Sequence, residues 1–326
     1  MTSGPDHQQR NSSSVVCAEA RLAVVTVTFH PNLWKLEQQL AAFPSNATSF
    51  IVDNASDAEE VIAIKRLVAA RPNTFLIENS ENVGLAAATN RGASQASEQL
   101  GKHDFLLLMD QDSQPQAGAI ENLMSAFLQL EDQGRRVGCV GPQLIDATTG
   151  LRHGFHSIRG WRWIRIFPRE GSTAPVSCAN LNGSGALMHM SLYQTQGGLD
   201  EGFFIDHVDT EWAFKVLAAG FELFGIPKAT FNHSMGERGV RFWWFGWRVW
   251  PQRSPQRHYY LFRNSCCLLR RSYVPRVWKF WAVVKLLLTM LVYFLFDSRR
   301  VSHLHNMMVG IRDACSRGIK NVGREL

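Results

Sequence analysis

Phe105-Leu-Leu-Leu-Met-Asp-Gln-Asp-Ser113 is the stretch on which the reading of this chain turns. Five apolar residues, Phe105 to Met109, bounded by turn-forming chemistry, predict a short buried strand. A strand of that kind normally ends in neutral loop residues. This one delivers two carboxylates, Asp110 and Asp112, one residue apart, and then Ser113, Gln114 and Pro115. Paired hard oxygen ligands suit Mg²⁺ or Mn²⁺, and such an ion typically carries a substrate diphosphate. Taken alone, the tripeptide fits a solvated polar turn equally well, because D-x-D is short and common.

Upstream, strand and helix alternate. Leu22–Phe29 and Ser49–Val52 predict strands, with Leu33–Phe43 and residues 57–71 as helices. Phe75–Glu78 predicts a third strand and Leu85–Leu100 an Ala-rich helix. That rhythm implies βαβ units and a parallel sheet that binds ligands at the carboxyl ends of its strands. Asp53, Asn82, Gly84 and Asp110 all fall at or just after such ends. Downstream, the pattern predicts a helix to about Leu130, a strand at Val137–Val140, and an irregular loop or hairpin over 147–176 carrying Arg159, Trp161, Arg162, Trp163 and Arg165. A Gly-entered strand follows at Leu181–Met190, then a helix at Thr210–Ala219, a strand at Phe221–Ile226, and Thr230–His233.

Composition divides the chain. Of 34 Lys/Arg and 28 Asp/Glu, residues 236–326 hold 17 and 4, leaving 17 and 24 for the rest. Six of the ten Trp also lie after Gly236. An acidic body with a basic, Trp-rich tail points to an anionic partner for the tail, nucleic acid or membrane. Three regions are expected: a frayed polar tail at 1–20, a body at 21–235, and a basic aromatic helical region at 236–326. The start carries no apolar run behind a basic residue, which argues against a secretory signal. The six Cys are scattered without C-x-x-C, which reads as reduced cytosolic thiols.

Each candidate site residue has a plainer alternative. Asp53 can accept from the N3–H of a pyrimidine or cap the next helix. Asn82-Val-Gly-Leu85 opens a helix whose free N–H groups can meet a nucleotide, or is an ordinary cap. In Asp206-His-Val-Asp-Thr-Glu211, Asp206 and Asp209 share a face if they lie on one helical turn. One of them can serve as general base, or as an N-cap. His233 can be a third metal ligand or a structural imidazole.

The order is more specific than its parts. Strand–Asp53, loop–Asn82/Gly84, strand–DQD, Gly-rich strand, acidic helix start and His233 together resemble the inverting family-2 glycosyltransferases of the A-type fold. MDQDS and FFIDHVDTEW look like the bacterial L-rhamnosyltransferase branch. The resemblance implies an α/β, Rossmann-like, mostly parallel sheet flanked by helices, with a C-terminal helical membrane-associated extension. It implies a dTDP-L-rhamnose donor, a lipid-linked, lipopolysaccharide or glycolipid acceptor, and Mg²⁺ or Mn²⁺. By it, Asp53 holds the thymine beside Thr28 and Phe29, Asp110 lies near ribose and diphosphate, and Asp112 binds the metal with His233. The family's usual Glu-Asp pair falls on Asp206 and His207. The base is therefore expected at Asp206, Asp209 or His207, with a carboxylate preferred and Asp206 placed ahead. An R-x-Y-Y-x-x-R-N stretch, Arg257–Asn264, adds Arg257 and Arg263 near the donor diphosphate or acceptor.

The tail reads as membrane-facing. Arg241–Trp250 combines headgroup-level Trp with Arg that favours anionic lipid. Val277–Phe296 has the length of a span, but Lys279 and Lys285 interrupt it, and a Lys at the bilayer centre costs roughly 2.5–3.5 kcal/mol. An in-plane helix at the cytoplasmic face of the inner membrane is the expectation, against a packed core or dimer helix. Two rival functions are a same-fold transferase using a UDP-hexose and a nucleic-acid-binding protein. The second leaves Asp53 and Asp110 without a role, so no nucleic acid is expected.

Overall fold

Strand β1 (Leu22–Thr28) is buried at every position, as its unbroken β-branched run requires. Beside it, β2 (Thr48–Asp53), β3 (Thr74–Glu78) and β4 (Phe105–Asp110) run parallel in the order β3-β2-β1-β4. The crossover helices are α1 (Leu33–Ala41), α2 (Ala58–Ala69) and α3 (Leu85–Ser97). Asn32 caps α1 by accepting from the Lys35 N–H, and Asp57 and Glu60 form a capping box on α2. Strand order reverses across β1, so the crevice between the ends of β1 and β4 is the topological switch point. The computed structural model describes residues 21–101, 103–233, 239–243, 247–251 and 253–316, which leaves the expected 1–20 tail outside the described residues.

The second half completes a nine-stranded sheet. It contributes β5 (Ser113–Pro115), α4 (Ala119–Asp132), β6 (Val137–Asp146), the hairpin β7 (Phe155–Arg159) and β8 (Arg162–Ile166), and β9 (Val176–Cys178). Next come β10 (Ala186–His189), α5 (Met190–Thr195), α6 (Val208–Ala218) and β11 (Glu222–His233). β10 lies antiparallel between β4 and β6, β11 runs parallel to β6, and β5 pairs antiparallel with β11. The hairpin β7–β8 forms its own two-stranded sheet.

Three elements differ from the sequence pattern. β10 is shorter than Leu181–Met190, because Gly185 takes φ +82° with its Cα so close to Pro142 that a Cβ would sit 2.4 Å from the ring. The segments Phe221–Ile226 and Thr230–His233 are one strand, β11, which leaves its ladder between Ile226 and Thr230 around Pro227. Proline has no N–H to give there. β6 runs on to Asp146 because the second half of β11 pairs with it.

The C-terminal region starts as strands rather than helix: β12 (Gly239–Trp243) and β13 (Trp247–Pro251) pair antiparallel. Side chains over Arg241–Trp250 lie outside the described residues. Three helices follow, α7 (Pro255–Arg270), α8 (Arg276–Phe296) and α9 (Arg300–Ser316). Ser254 caps α7 with Pro255 at its first turn. Cys267, Leu268, Val274, Trp278 and Ala314 belong to the same buried cluster as Val25 and Phe214. Residues on the two sides of the composition boundary at 235/236 therefore share one buried cluster.

Candidate active site

The site assembles where β1, β4, β5 and β11 end together. Register places Thr28 opposite Asp53, Val27 opposite Asp110, and Ser113 opposite His233. The last pairing brings Asp112 to His233, with 3.5 Å between Oδ1 and Nδ1. Ligand atoms of Asp110, Asp112 and His233 all lie within 4.8 Å of one another. Behind them runs a hydrogen-bonded line: the Asp110 N–H donates to Ser184 Oγ (3.2 Å), Ser184 Oγ donates to Ser113 Oγ (2.6 Å), and Ser113 Oγ meets His233 Nδ1 (2.6 Å). Two carboxylates and an imidazole with such outer support suit a hard or borderline divalent cation. Burial lifts the Asp110 carboxyl to about 6, with the Asp112 and Asp209 carboxylates adding and His233 and Arg257 opposing. Crowded acids of this kind are relieved by a cation, so the residues present fit Mg²⁺ or Mn²⁺.

Two glutamines brace this corner. Gln39 of α1 is fully buried and donates to the Asp110 carbonyl (2.7 Å) and the Ser113 carbonyl (2.6 Å). Gln111 turns away from the acids and clasps the Phe29 backbone at both its N–H (2.8 Å) and its carbonyl (3.1 Å). The middle residue of DQD is thus the tie between the ends of β1 and β4. A polar Gln39 between buried Leu36 and Leu40 was the signal available in the sequence.

A cavity of about 740 Å³ opens here, lined by Phe29, Asp110, Asp112, Asn182, Gly183, Asp206, His207, Asp209, His233, Arg253 and Arg257 among others. Asp53 lies beside it, buried, and accepts from Thr28 Oγ1 (3.0 Å), Ser56 Oγ (2.6 Å) and Ser56 N–H (2.9 Å). The cap of α2 is Asp57, so the capping alternative for Asp53 falls away.

Asn82 and Gly84 act differently from the expectation. The N–H groups of Val83, Gly84 and Leu85 already donate to Asn54 Oδ1, Asn82 Oδ1 and the Phe204 carbonyl. They shape the loop rather than waiting for a nucleotide. Gly84 takes φ +86° and ψ 165°, where a Cβ would stand 2.6 Å from the Phe204 ring. Gly84→Ala is expected to cost on the order of 2 kcal/mol or more, read as a lower midpoint in urea unfolding.

The acidic loop also departs from the pattern. Asp206 (φ +63°) and His207 (φ +64°) are left-handed and precede α6, so Asp206 and Asp209 do not share a helical turn. Asp206 gives one oxygen to Arg253 Nη1 (2.7 Å) and the other to Arg257 Nε (3.2 Å). Burial alone would raise its carboxyl, but the two guanidinium groups win and hold it below the usual range. Asp209 is the opposite case: burial pushes it up, and hydrogen bonds from Thr210 and Gly183 only partly offset that. His207 is pulled down to about 4 by burial, and its Nε2 meets Ser265 Oγ at 2.9 Å. A carboxylate already paired with two arginines is a poor base, and Asp209 carries no such pair among the described residues.

The R-x-Y-Y-x-x-R-N stretch holds this loop. Asn264 Nδ2 donates to the carbonyls of Ile205 (2.7 Å) and Asp206 (2.8 Å). Arg263 is 2 % exposed, donates to the Gly202 carbonyl and lies over the Tyr259 and Tyr260 rings. It is outside the cavity lining and holds the loop through Gly202. Arg257 does reach the cavity.

Acids for a divalent ion at the switch point of a mostly parallel sheet, in one cavity with the half-buried Asp209 carboxylate, define a glycosyltransferase of the A-type fold. Glycosyl transferase family 2 matches residues 30–197, just over half of the chain, and the chain belongs to that family. It is 27% identical over 308 residues to a dTDP-rhamnosyl transferase of Shigella flexneri, RfbF, covering 94% of this chain and 98% of that one. It is 28% identical over 243 residues to the N-acetylglucosaminyl-diphospho-decaprenol L-rhamnosyltransferase of Mycobacterium tuberculosis, covering 65% and 75%. Two solved structures share the fold. GalNAc-T7 with UDP, GalNAc and Mn²⁺ gives a TM-score of 0.55 at 15% identity, covering 91% of this chain and 67% of that one. A mannosyltransferase of Pyrobaculum calidifontis with GDP-Man and Mn²⁺ gives 0.52 at 16%, covering 91% and 87%.

Proposed function

We propose that the protein transfers L-rhamnose from dTDP-L-rhamnose, with inversion, to a hydroxyl of a lipid-linked or glycolipid acceptor at the cytoplasmic face of the inner membrane. The observation that carries the chemistry is the Asp110–Asp112–His233 trio facing Asp209 in one cavity. The near end-to-end similarity to a dTDP-rhamnosyl transferase supports the sugar. Asp112 and His233, with Asp110, would hold Mg²⁺ or Mn²⁺, which would supply positive charge against the departing diphosphate. Phe29, which lines the cavity, offers its ring to the base. Asp53 has three of about four acceptor positions filled, leaving one for a pyrimidine N3–H. Asp209 takes the acceptor hydroxyl proton as the oxygen attacks the anomeric carbon. One displacement inverts that centre, so a β-linked donor gives an α-L-rhamnoside.

Purified enzyme is expected to release dTDP from dTDP-L-rhamnose with added Mn²⁺ or Mg²⁺ and to stop with EDTA. A higher kcat/KM for a UDP-hexose would replace the sugar while keeping the site.

The membrane reading rests on α8, a helix long and apolar enough to cross a bilayer. Phe280, Val283, Leu287, Leu291, Phe294 and Leu295 are exposed and recur at helical spacing as one stripe. Trp278, Thr289 and Tyr293 face the protein. Lys279 reaches back to the Arg271 carbonyl (2.7 Å), and Lys285, seven residues after Trp278 and four before Thr289, falls by spacing beside those two residues with its side chain exposed. Neither lysine enters the stripe, which supports a helix lying in the membrane plane. Leu287→Asp with Leu291→Asp is expected to lower the vesicle-bound fraction about tenfold or more in flotation. Binding independent of both leucines and of anionic lipid would remove this part. The basic residues of α7 do not favour nucleic acid. Arg263 and Arg270 donate to backbone carbonyls, Arg257 pairs with Asp206, and Arg271, just past the helix, pairs with Asp200 and Glu211.

A further inference from the structure

The hairpin β7–β8 is fixed at its base and bare at its tip. Phe155, at the start of β7, is buried with its ring against Gly225 of β11, where a Cβ would stand 2.2 Å away. The Ala179 N–H donates to the His156 carbonyl (2.8 Å), His156 stacks on Trp163, and Trp163 meets Phe214 of α6 edge-on. At the far end the chain turns through Arg159-Gly160-Trp161-Arg162, all four exposed. Arg159 pairs with Arg162, and Gly160 takes φ +56° at the first place of the two-residue turn, which sets Trp161 at the apex. Trp161 is 69% exposed. Two like charges directly opposite one another weaken a hairpin unless an anion answers them. Neither arginine has a hydrogen bond or ion pair among the described residues.

The tip is fastened to the apolar helix. Trp281 Nε1 of α8 donates to the Trp161 carbonyl (3.0 Å). Trp281 is itself exposed and adjoins Phe280, where the outward stripe begins. Arg276, also exposed, stands one turn before Phe280 at the same end of the stripe. Two exposed indoles and three exposed guanidinium groups thus border one end of an apolar face. Indole favours the headgroup level of a bilayer, and guanidinium pairs with lipid phosphate. A water-soluble acidic partner would answer the arginines but leave Trp161 and the stripe in water. A bilayer with anionic lipid answers all three.

We infer that the β7–β8 tip is a second membrane contact, which seats Trp161 at the headgroup level of an anionic bilayer and sets Arg159 and Arg162 on its phosphates. This rests on the proposed reading of α8 as a helix in the membrane plane. A single in-plane helix leaves the body free to roll about the helix axis, and a second contact beside it stops that roll. The hairpin packs through Trp163 on α6, whose first turn carries Asp209. Tip and helix together therefore fix the angle at which the catalytic cavity meets the bilayer.

The test is flotation of the full chain with phosphatidylcholine vesicles, with and without phosphatidylglycerol, beside dTDP binding with Mn²⁺ in detergent. Trp161→Ala is expected to lower partitioning to both kinds of vesicle about tenfold, and Trp161→Tyr to retain most of it. Arg159→Gln with Arg162→Gln is expected to lower partitioning to the anionic vesicles about tenfold or more and to leave the neutral ones unchanged. The affinity for dTDP should change less than about twofold in all three, since the tip lies apart from the cavity lining. Wild-type flotation of both Trp161→Ala and the double glutamine variant overturns the inference, and so does a parallel loss of dTDP affinity, which would make the tip a structural element. The two membrane contacts fail separately. Loss in the tip variants with none in Leu287→Asp/Leu291→Asp removes the helix and keeps the tip, and the reverse pattern removes the tip and keeps the helix.

Discussion

An Asp112→Ala enzyme is expected to keep its fold and to lose Mn²⁺ binding and sugar transfer together. Asp112 is partly exposed at a strand end, so its removal leaves no core cavity. It does remove one of two carboxylates from a three-ligand set, and the remaining Asp110 and His233 offer a divalent ion half the negative charge. Stabilisation of the leaving diphosphate by a metal is worth several kcal/mol, so turnover should fall by roughly 10²–10³-fold or more. Equilibrium dialysis with Mn²⁺ and dTDP release measured on the same preparation check the two losses. Transfer at the wild-type rate without Mn²⁺ binding would remove the metal assignment. Gln111→Ala makes the contrast: it frees the Phe29 backbone from its clasp and should loosen donor binding while leaving Mn²⁺ affinity near normal.

Asp209→Asn is expected to lower kcat by about 10²–10⁴-fold with a small change in KM, the range for loss of a positioned base. The pH profile distinguishes it from Asp206. A base works as the carboxylate, so kcat/KM falls as pH drops through its pKa. Burial raises Asp209, which moves the acid limb, at saturating metal, above the ordinary aspartate range. Arg253 and Arg257 hold Asp206 low, so if Asp206 were the base the limb would lie below that range. Asp206→Asn instead breaks an ion triad. Its cost is about 2–3 kcal/mol of stability, less than for a fully buried pair because Arg257 is 43% exposed. Full activity in Asp209→Asn with a limb below the ordinary aspartate range would return the role to Asp206.

What was legible in the chain was local. Apolar runs such as Leu22–Thr28 and Phe105–Met109 carry their own strand signal, and the spacing in Ala58–Ala69 and Ala119–Asp132 carries the helices. The placement of acids at strand ends follows from those elements. What escaped was set by distant partners. Asp206 resembles a base until Arg253 and Arg257, 47 and 51 residues later, close on it. Asn82 and Gly84 resemble an open helix start until Phe204 covers it. β10 loses its first half to Pro142, and Arg263 turns inward because Gly202 and the Tyr259 and Tyr260 rings receive it.

The outward stripe of α8 has a practical consequence for the protein in a test tube. Phe280, Leu287, Leu291 and Leu295, with Val301 and Met308 of α9 also uncovered, give an apolar surface that water does not tolerate at high concentration. Without detergent or lipid, the chain should self-associate through that surface, with the sedimentation coefficient rising with concentration and collapsing to one species on adding mild detergent. Crystals grown without an amphiphile would be expected to bury α8 between molecules, a contact that says more about colloidal chemistry than about assembly in the cell.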